Sequence, residues 1–151
     1  MPIAGALTAL STQVGAAEIT QTVGDQDWNA VIWGTPAAAP TAGNDYVTAS
    51  GVAGNRVRIA ATGTSSTFNG DSLRVVAGTE ALVKLVSGAT GTVNGTIILD
   101  GGLLRWGPNT NTSSNVTATT INVLSDSDVA VPNTYVGVAS ATLSGTLTGS
   151  A

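Results

Sequence analysis

The sequence predicts an all-β fold, a parallel β-helix in which successive coils stack as a solenoid. Short apolar strands recur in two series, each with a spacing near 24 residues, and Gly, Asn and Ser separate them. A period of roughly 20–50 residues is typical of repeat proteins, whose units bury their apolar faces against one another. A β-sandwich built from hairpins is the alternative, because Asn-Gly turns also suit two-residue hairpins.

The two series define about four coils. The first comprises residues 73–75, 97–99, 121–123 and 143–145, and the second comprises residues 57–59, 83–85, 104–106 and 129–131. Side chains alternate between the two faces of a strand, so Arg58, Lys84 and Arg105 are expected to lie roughly in line on one exposed face. The same alternation places Trp106 in the core. Gly70 and Gly95, each after an asparagine, are expected to supply positive φ at corners.

The composition favours stacked strands over helices. Charged residues make up 9% of the 151 residues, against a usual level of about 25%, and 19 residues are glycine. Small and β-branched residues suit closely packed strands with tight corners. A chain of this length forms one domain with a sizeable core.

The charge balance excludes several classes of partner. The net charge is −4, which disfavours nucleic acid, because neutralising phosphates requires clustered Lys and Arg. The sequence contains no run of about 20 apolar residues, so no transmembrane segment is expected. It also lacks histidine and cysteine, which removes the commonest general base, the thiolate nucleophile and the usual metal ligands.

Three regions follow along the chain. Residues 1–17 are small and apolar, and they are interpreted as a signal-peptide remnant or as a first strand. Residues 18–55 contain three of the five Trp and Tyr residues and no regular alternation, so they are interpreted as an irregular, aromatic-rich N-terminal cap. Such a cap would cover the exposed strand edges of the first coil. Residues 56–151 are expected to form the coils, with 108–120 as a polar loop protruding between two of them.

Several motifs resemble those of a known group of proteins. They occur in the order Gly43-Asn44-Asp45-Tyr46, Thr67-Phe68-Asn69-Gly70-Asp71-Ser72-Leu73 and Ile97-Ile98-Leu99-Asp100-Gly101-Gly102. This order resembles secreted bacterial surface proteins with autotransporter-associated β-strand repeats. The resemblance implies a right-handed parallel β-helix in an extracellular, adhesin-like region without catalytic residues.

Two groups of residues are candidates for contact with partners. The first group is aromatic and could stack on the sugars of a carbohydrate or pack inside the cap: Trp28, Trp33, Tyr46 and Tyr135. The second group, Leu143 and Leu147, lies in the last coil, whose strand carries no charged or aromatic cap. An uncovered strand edge of this kind pairs readily with other chains.

The sequence therefore predicts a non-catalytic module. We expect no enzyme activity and no cofactor or metal, with the Asp-x-Asp pairs as solvated turn residues. The function expected is an extracellular structural or adhesive β-solenoid at a bacterial cell surface, which assembles end to end. Its partners would be copies of itself, as a homo-oligomer or filament, or cell-surface glycans. A carbohydrate-binding module using exposed aromatics of the N-terminal segment is the alternative.

Overall fold

The structure, a computed structural model, describes residues 17–107, 113–131 and 140–149. These residues form β-strands and turns and contain no helix. The strands are β1 (Ile19–Thr20), β2 (Gln26–Asp27), β3 (Asp45–Val47), β4 (Arg56–Ile59), β5 (Ser66–Phe68), β6 (Ser72–Val76), β7 (Glu80–Val83), β8 (Thr90–Asp100), β9 (Leu103–Trp106), β10 (Ser113–Ser125), β11 (Asp128–Ala130) and β12 (Ser140–Gly149).

The strands form two parallel sheets that share one core. The larger sheet has the order β1-β3-β6-β8-β10-β12, with β5 also paired to β8, and the smaller sheet has the order β2-β4-β7-β9-β11. Every pairing between these strands is parallel. The chain therefore winds as a β-solenoid of about five turns. This confirms the solenoid and rules out the hairpin-built sandwich.

The first three members of the first strand series have the predicted register. Leu73 pairs with Ile97, and Ile97 pairs with Ile121. All three side chains are buried, because successive coils place the same inward position directly above the last. Their outward neighbours Arg74, Ile98 and Asn122 stack in the same way. One apolar column and one solvent-facing column thus run along this sheet.

The second series is shifted in register by two residues at β7. Arg58 pairs with Leu82, and Leu82 pairs with Arg105. Lys84 lies one residue beyond the end of β7, so the expected column of three basic residues is wrong. The reason is that Ala81 is also an inward, buried residue. The buried residues Ala81, Val83 and Leu85 alternate regularly. The alternation alone therefore cannot distinguish two registers that differ by two residues.

Strand structure extends further than the sequence suggested at two places. Residues 18–55 contribute β1, β2 and β3, so the stack of coils already begins within this segment and has about five turns rather than four. Residues 113–120 belong to β10 instead of a protruding loop, and residues 108–112 of the expected loop lie outside the described residues. The threonines of β10 suit a strand because a β-branched side chain fits the pleated surface.

Residues 1–16, expected as a signal remnant or first strand, lie outside the described residues.

Two glycines are required because the coils approach each other closely, and neither has the positive φ that was expected. A Cβ atom at Gly95 would lie 1.9 Å from the carbonyl oxygen of Asp71 in the preceding coil. A Cβ at Gly70 would lie 2.4 Å from the ring of Tyr46. The side chain is absent at these positions because there is no space for one.

We expect Gly95→Ala to destabilise the protein by about 2 kcal/mol or more, because the added methyl group must push two backbones apart. Gly51→Ala is the matched control, since a Cβ there meets no atom within 4 Å and its effect should stay within about 0.5 kcal/mol. Urea unfolding of both variants measures the difference. Equal stability of the two variants would contradict the close stacking of these coils.

Candidate functional site: the two ends of the solenoid

The N-terminal edge of the larger sheet is covered by the chain itself. After β1 the chain turns back, and the N–H of Gly34 donates to the carbonyl of Thr20 at 2.8 Å. The N–H of Thr22 donates to the carbonyl of Ile32 at 2.7 Å. Gln21 and Trp33 form an antiparallel bridge between these two bonds. The carbonyl of Thr20 and the N–H of Thr22 are therefore already paired, and a second chain cannot bond to them.

A cluster of aromatic rings fills the core at the same end. Trp28, Trp33 and Tyr46 are 0%, 1% and 2% exposed. Phe68 contacts all three, with ring centroids 5.4 to 6.0 Å apart. The indole N–H of Trp28 donates to Ser66 Oγ at 3.0 Å, so its burial leaves no donor unpaired. The cluster holds the segment that covers this end against the first coils.

Burial corrects one of the two interpretations of these aromatic residues. A sugar can stack only on a ring face that solvent reaches, and Trp28, Trp33 and Tyr46 present none. They act in packing, so the structure removes them as contacts for carbohydrate. Tyr135, the fourth aromatic candidate, lies outside the described residues.

At the opposite end, the described residues leave the last strand of the larger sheet uncovered. β12 is the last strand of the larger sheet, and among the described residues only β10 pairs with it. Its ten residues include no charged residue and no proline. Charges and prolines are the usual means by which proteins protect an edge strand from pairing with other chains. The free edge of β12 is therefore a surface suited to strand addition.

Both leucines of the candidate end lie on β12, although in a different register from the one predicted. Leu147 pairs with Ile121 and continues the apolar column of the larger sheet. Leu143, which the spacing placed there, pairs with Val116 instead. With no coil above it among the described residues, Leu147 remains 72% exposed. An inward position of the core is thus left facing solvent.

A groove with a volume of about 820 Å³ lies beside β12 at this end. Val123 and Leu147 contribute apolar surface to it, and Asp126 and Asp128 contribute carboxylates from the corner at β11. The groove is open to solvent. Within the described ranges, no group of three or more acidic residues could hold a metal ion.

The carboxylates on the sides of the solenoid join one coil to the next. Asp25, which precedes β2, accepts hydrogen bonds from Arg56 and Arg58 of β4, one of them at 2.8 Å from Arg58 Nε. The hydrogen bond from Arg56, and then that from Arg58, holds the pKa of Asp25 well below its usual range. Asp25 adopts a φ of 58°, a conformation that Asp and Asn tolerate.

A second arginine bridges strands of the larger sheet. Arg74 lies 2.8 Å from Glu18 and 2.5 Å from Asp100. Ser125 Oγ donates to the same Asp100 carboxylate at 2.9 Å. These two hydrogen bonds, with that from Arg74 the larger influence, lower the pKa of Asp100. Arg105 of β9 pairs in the same manner with Glu80 of β7 at 2.7 Å.

Sequence reasoning missed these pairs because it treated the acids as solvated turn residues. Their partners lie on other coils, 31 and 33 positions away for Asp25, so only the strand register brings them together. One signal was present for three of the arginines: Arg56, Arg58 and Arg105 occupy strand positions one coil after an acid at or just before the start of an earlier strand. That signal could be used once the length of each coil was known.

Comparison with known proteins adds no identification. No protein-family model matches the chain, and no curated protein and no solved structure is similar enough to count as a match. The resemblance to autotransporter-associated repeat proteins rests on the quoted motifs and stays a prediction. In the part of the chain that the structure describes, no helix is long and apolar enough to span a membrane.

Asp25→Asn should destabilise the protein by about 1 kcal/mol near pH 7, because both arginines lose their carboxylate while the backbone conformation is retained. The folded-state pKa of Asp25 is lowered, so its contribution is present above the ordinary value of about 3.9 and is lost as the pH falls below it. Urea unfolding should therefore show the wild type and the variant converging in acid.

Asp126→Asn, which removes the same charge at an exposed position, is the control and should change stability by less than about 0.5 kcal/mol at either pH. A difference between wild type and Asp25→Asn that persists unchanged at pH 2 would contradict the role of the ion pairs.

Proposed function

We propose that this chain is a non-catalytic structural module of a bacterial cell surface, and that it adheres to other chains through the free edge of β12. The observation that carries the proposal is the difference between the two ends. One edge is paired by the chain's own residues, whereas the other presents an uncharged strand with Leu147 exposed. Edge strands with these properties pair with further strands.

The chemistry of the acids supports a role without catalysis. A glycoside hydrolase needs a carboxylic acid that remains protonated near neutral pH, and that acid has a raised pKa. The pKa values of Asp25 and Asp100 are shifted in the opposite direction, because arginines bind their ionised forms. These two carboxylates are suited to joining coils, and neither is suited to proton donation.

The charge distribution supports a protein partner rather than a nucleic acid. The net charge is −4, and each of the four arginines forms an ion pair with an acid of the same chain. Copies of this chain are favoured over cell-surface glycans, because the three aromatic rings expected to contact sugars are buried. The extracellular location is supported by the motif order that resembles bacterial surface proteins.

Bead aggregation tests the adhesive end. Beads coated with the wild-type protein should adhere to one another, and Leu147→Lys should reduce their adhesion at least about tenfold, since a buried unpaired charge costs more than the roughly 1.4 kcal/mol that a tenfold change represents. The side chain is 72% exposed, so the substitution should leave the fold intact.

Val31→Lys is the matched control, because Val31 is 62% exposed in the segment that covers the other end. It should leave adhesion unchanged. Antibody labelling of intact producing cells tests the location. Equal adhesion by the wild type and Leu147→Lys, or labelling only after cell lysis, would contradict the proposal.

A further inference from the structure

We infer that β12 pairs antiparallel with β12 of a second copy of this chain, about a two-fold axis at Gly145, to form a closed tail-to-tail dimer. This inference rests on the proposed function insofar as that function makes the free edge of β12 a docking surface. It goes further in naming the partner, the direction of the strands and the residues that face one another.

The sequence of β12 is symmetric about Gly145. Read outward from this glycine, the residues on its two sides form matched pairs: Ser144 with Thr146, Leu143 with Leu147, Thr142 with Thr148, and Ala141 with Gly149. In an isologous contact each residue of one copy meets its symmetry mate on the other copy. An antiparallel pair of β12 strands centred on Gly145 therefore places leucine opposite leucine and hydroxyl opposite hydroxyl.

The inward and outward positions also agree. Leu143 and Leu147 pair with the buried Val116 and Ile121 of the coil below, so both face the core. The two-fold axis exchanges the two leucines, so Leu143 of each copy lies opposite Leu147 of the other. The core positions of the last coil are then covered by the last coil of the partner copy. Thr142 and Thr148 each lie one position from an end of this symmetric run, and both are exposed. No inward side chain is brought against an outward one.

An irregularity in the sheet leaves β12 itself regular. The register between β12 and β10 shifts between Thr117 and Thr120, on either side of which Ser144 and Thr146 pair. Gly145 thus separates two arms of β12 that pair with different parts of β10. The extra residue of this irregularity lies in β10, so β12 itself stays regular and its outer edge is continuous across Gly145.

The state of the other end favours a dimer over a filament. A head-to-tail filament would require β12 to pair with the edge of β1 in the next copy. Hydrogen bonds with Ile32 and Gly34 already occupy that edge. The same contact shows that an antiparallel segment can close an edge of this sheet, because the bridge between Gln21 and Trp33 is antiparallel.

Disulfide cross-linking tests the register, and the chain lacks native cysteine. Residues opposite each other in antiparallel strands have Cα atoms about 4.5–5.5 Å apart, which suits a disulfide. An equimolar mixture of the variants Thr142→Cys and Thr148→Cys should therefore form a linked species of twice the 14.8 kDa chain mass. Each variant alone should not, because its cysteine faces a threonine.

A mixture of Thr142→Cys with Ser144→Cys is the matched control, since these positions do not face one another in the proposed pairing. Linkage of the Thr142→Cys and Thr148→Cys mixture alone supports the inference. Equal linkage in the control mixture, or linkage of a single variant with itself, would overturn it.

If Leu147→Lys weakens bead adhesion but the Thr142→Cys and Thr148→Cys mixture does not link, the antiparallel dimer is wrong and the adhesive edge stands.

Discussion

Backbone hydrogen bonding between successive coils is the interaction on which the rest of this structure depends. A strand of this solenoid cannot pair with its neighbours in sequence, because every pairing among the named strands is parallel and joins different coils. The register set by these bonds stacks Leu73, Ile97 and Ile121 into one apolar column. It also brings Asp25 to the arginines of β4. Core packing and ion pairing both follow from the stacking of the coils.

This dependence makes the ends the chemically distinctive parts of the molecule. An interior coil has a neighbour on both sides, whereas an end coil has one, and its unpaired backbone groups must be satisfied by other means. At the first coil the segment around Trp33 supplies the missing partner. At β12 the described residues supply none. The function we propose and the dimer we infer both arise from this difference between the two ends.

The sequence predicted the repeat well and the position of individual strands less well. Repeating aliphatic residues and the even spacing were enough to identify a solenoid and the stacking of Leu73, Ile97 and Ile121 in its larger sheet. The register around Lys84 could not be predicted, because the inward run there includes an alanine and permits a shift of two residues. The residues that face Asp25 could not be predicted either, since they lie on another coil. The lack of charged residues predicted an uncovered last strand, and among the described residues only β10 pairs with β12. Leu147 rather than Leu143 occupies the main column.

Hydrogen exchange of individual backbone amides in dilute protein tests most directly whether one end is closed and the other open. The amides of Thr22 and Gly34 should be protected, because they donate hydrogen bonds along the covered edge. In β12, the amides directed away from β10 should exchange rapidly, whereas those directed toward β10 should be protected. Uniform protection along β12 at the lowest protein concentration, or rapid exchange at Thr22, would contradict the account.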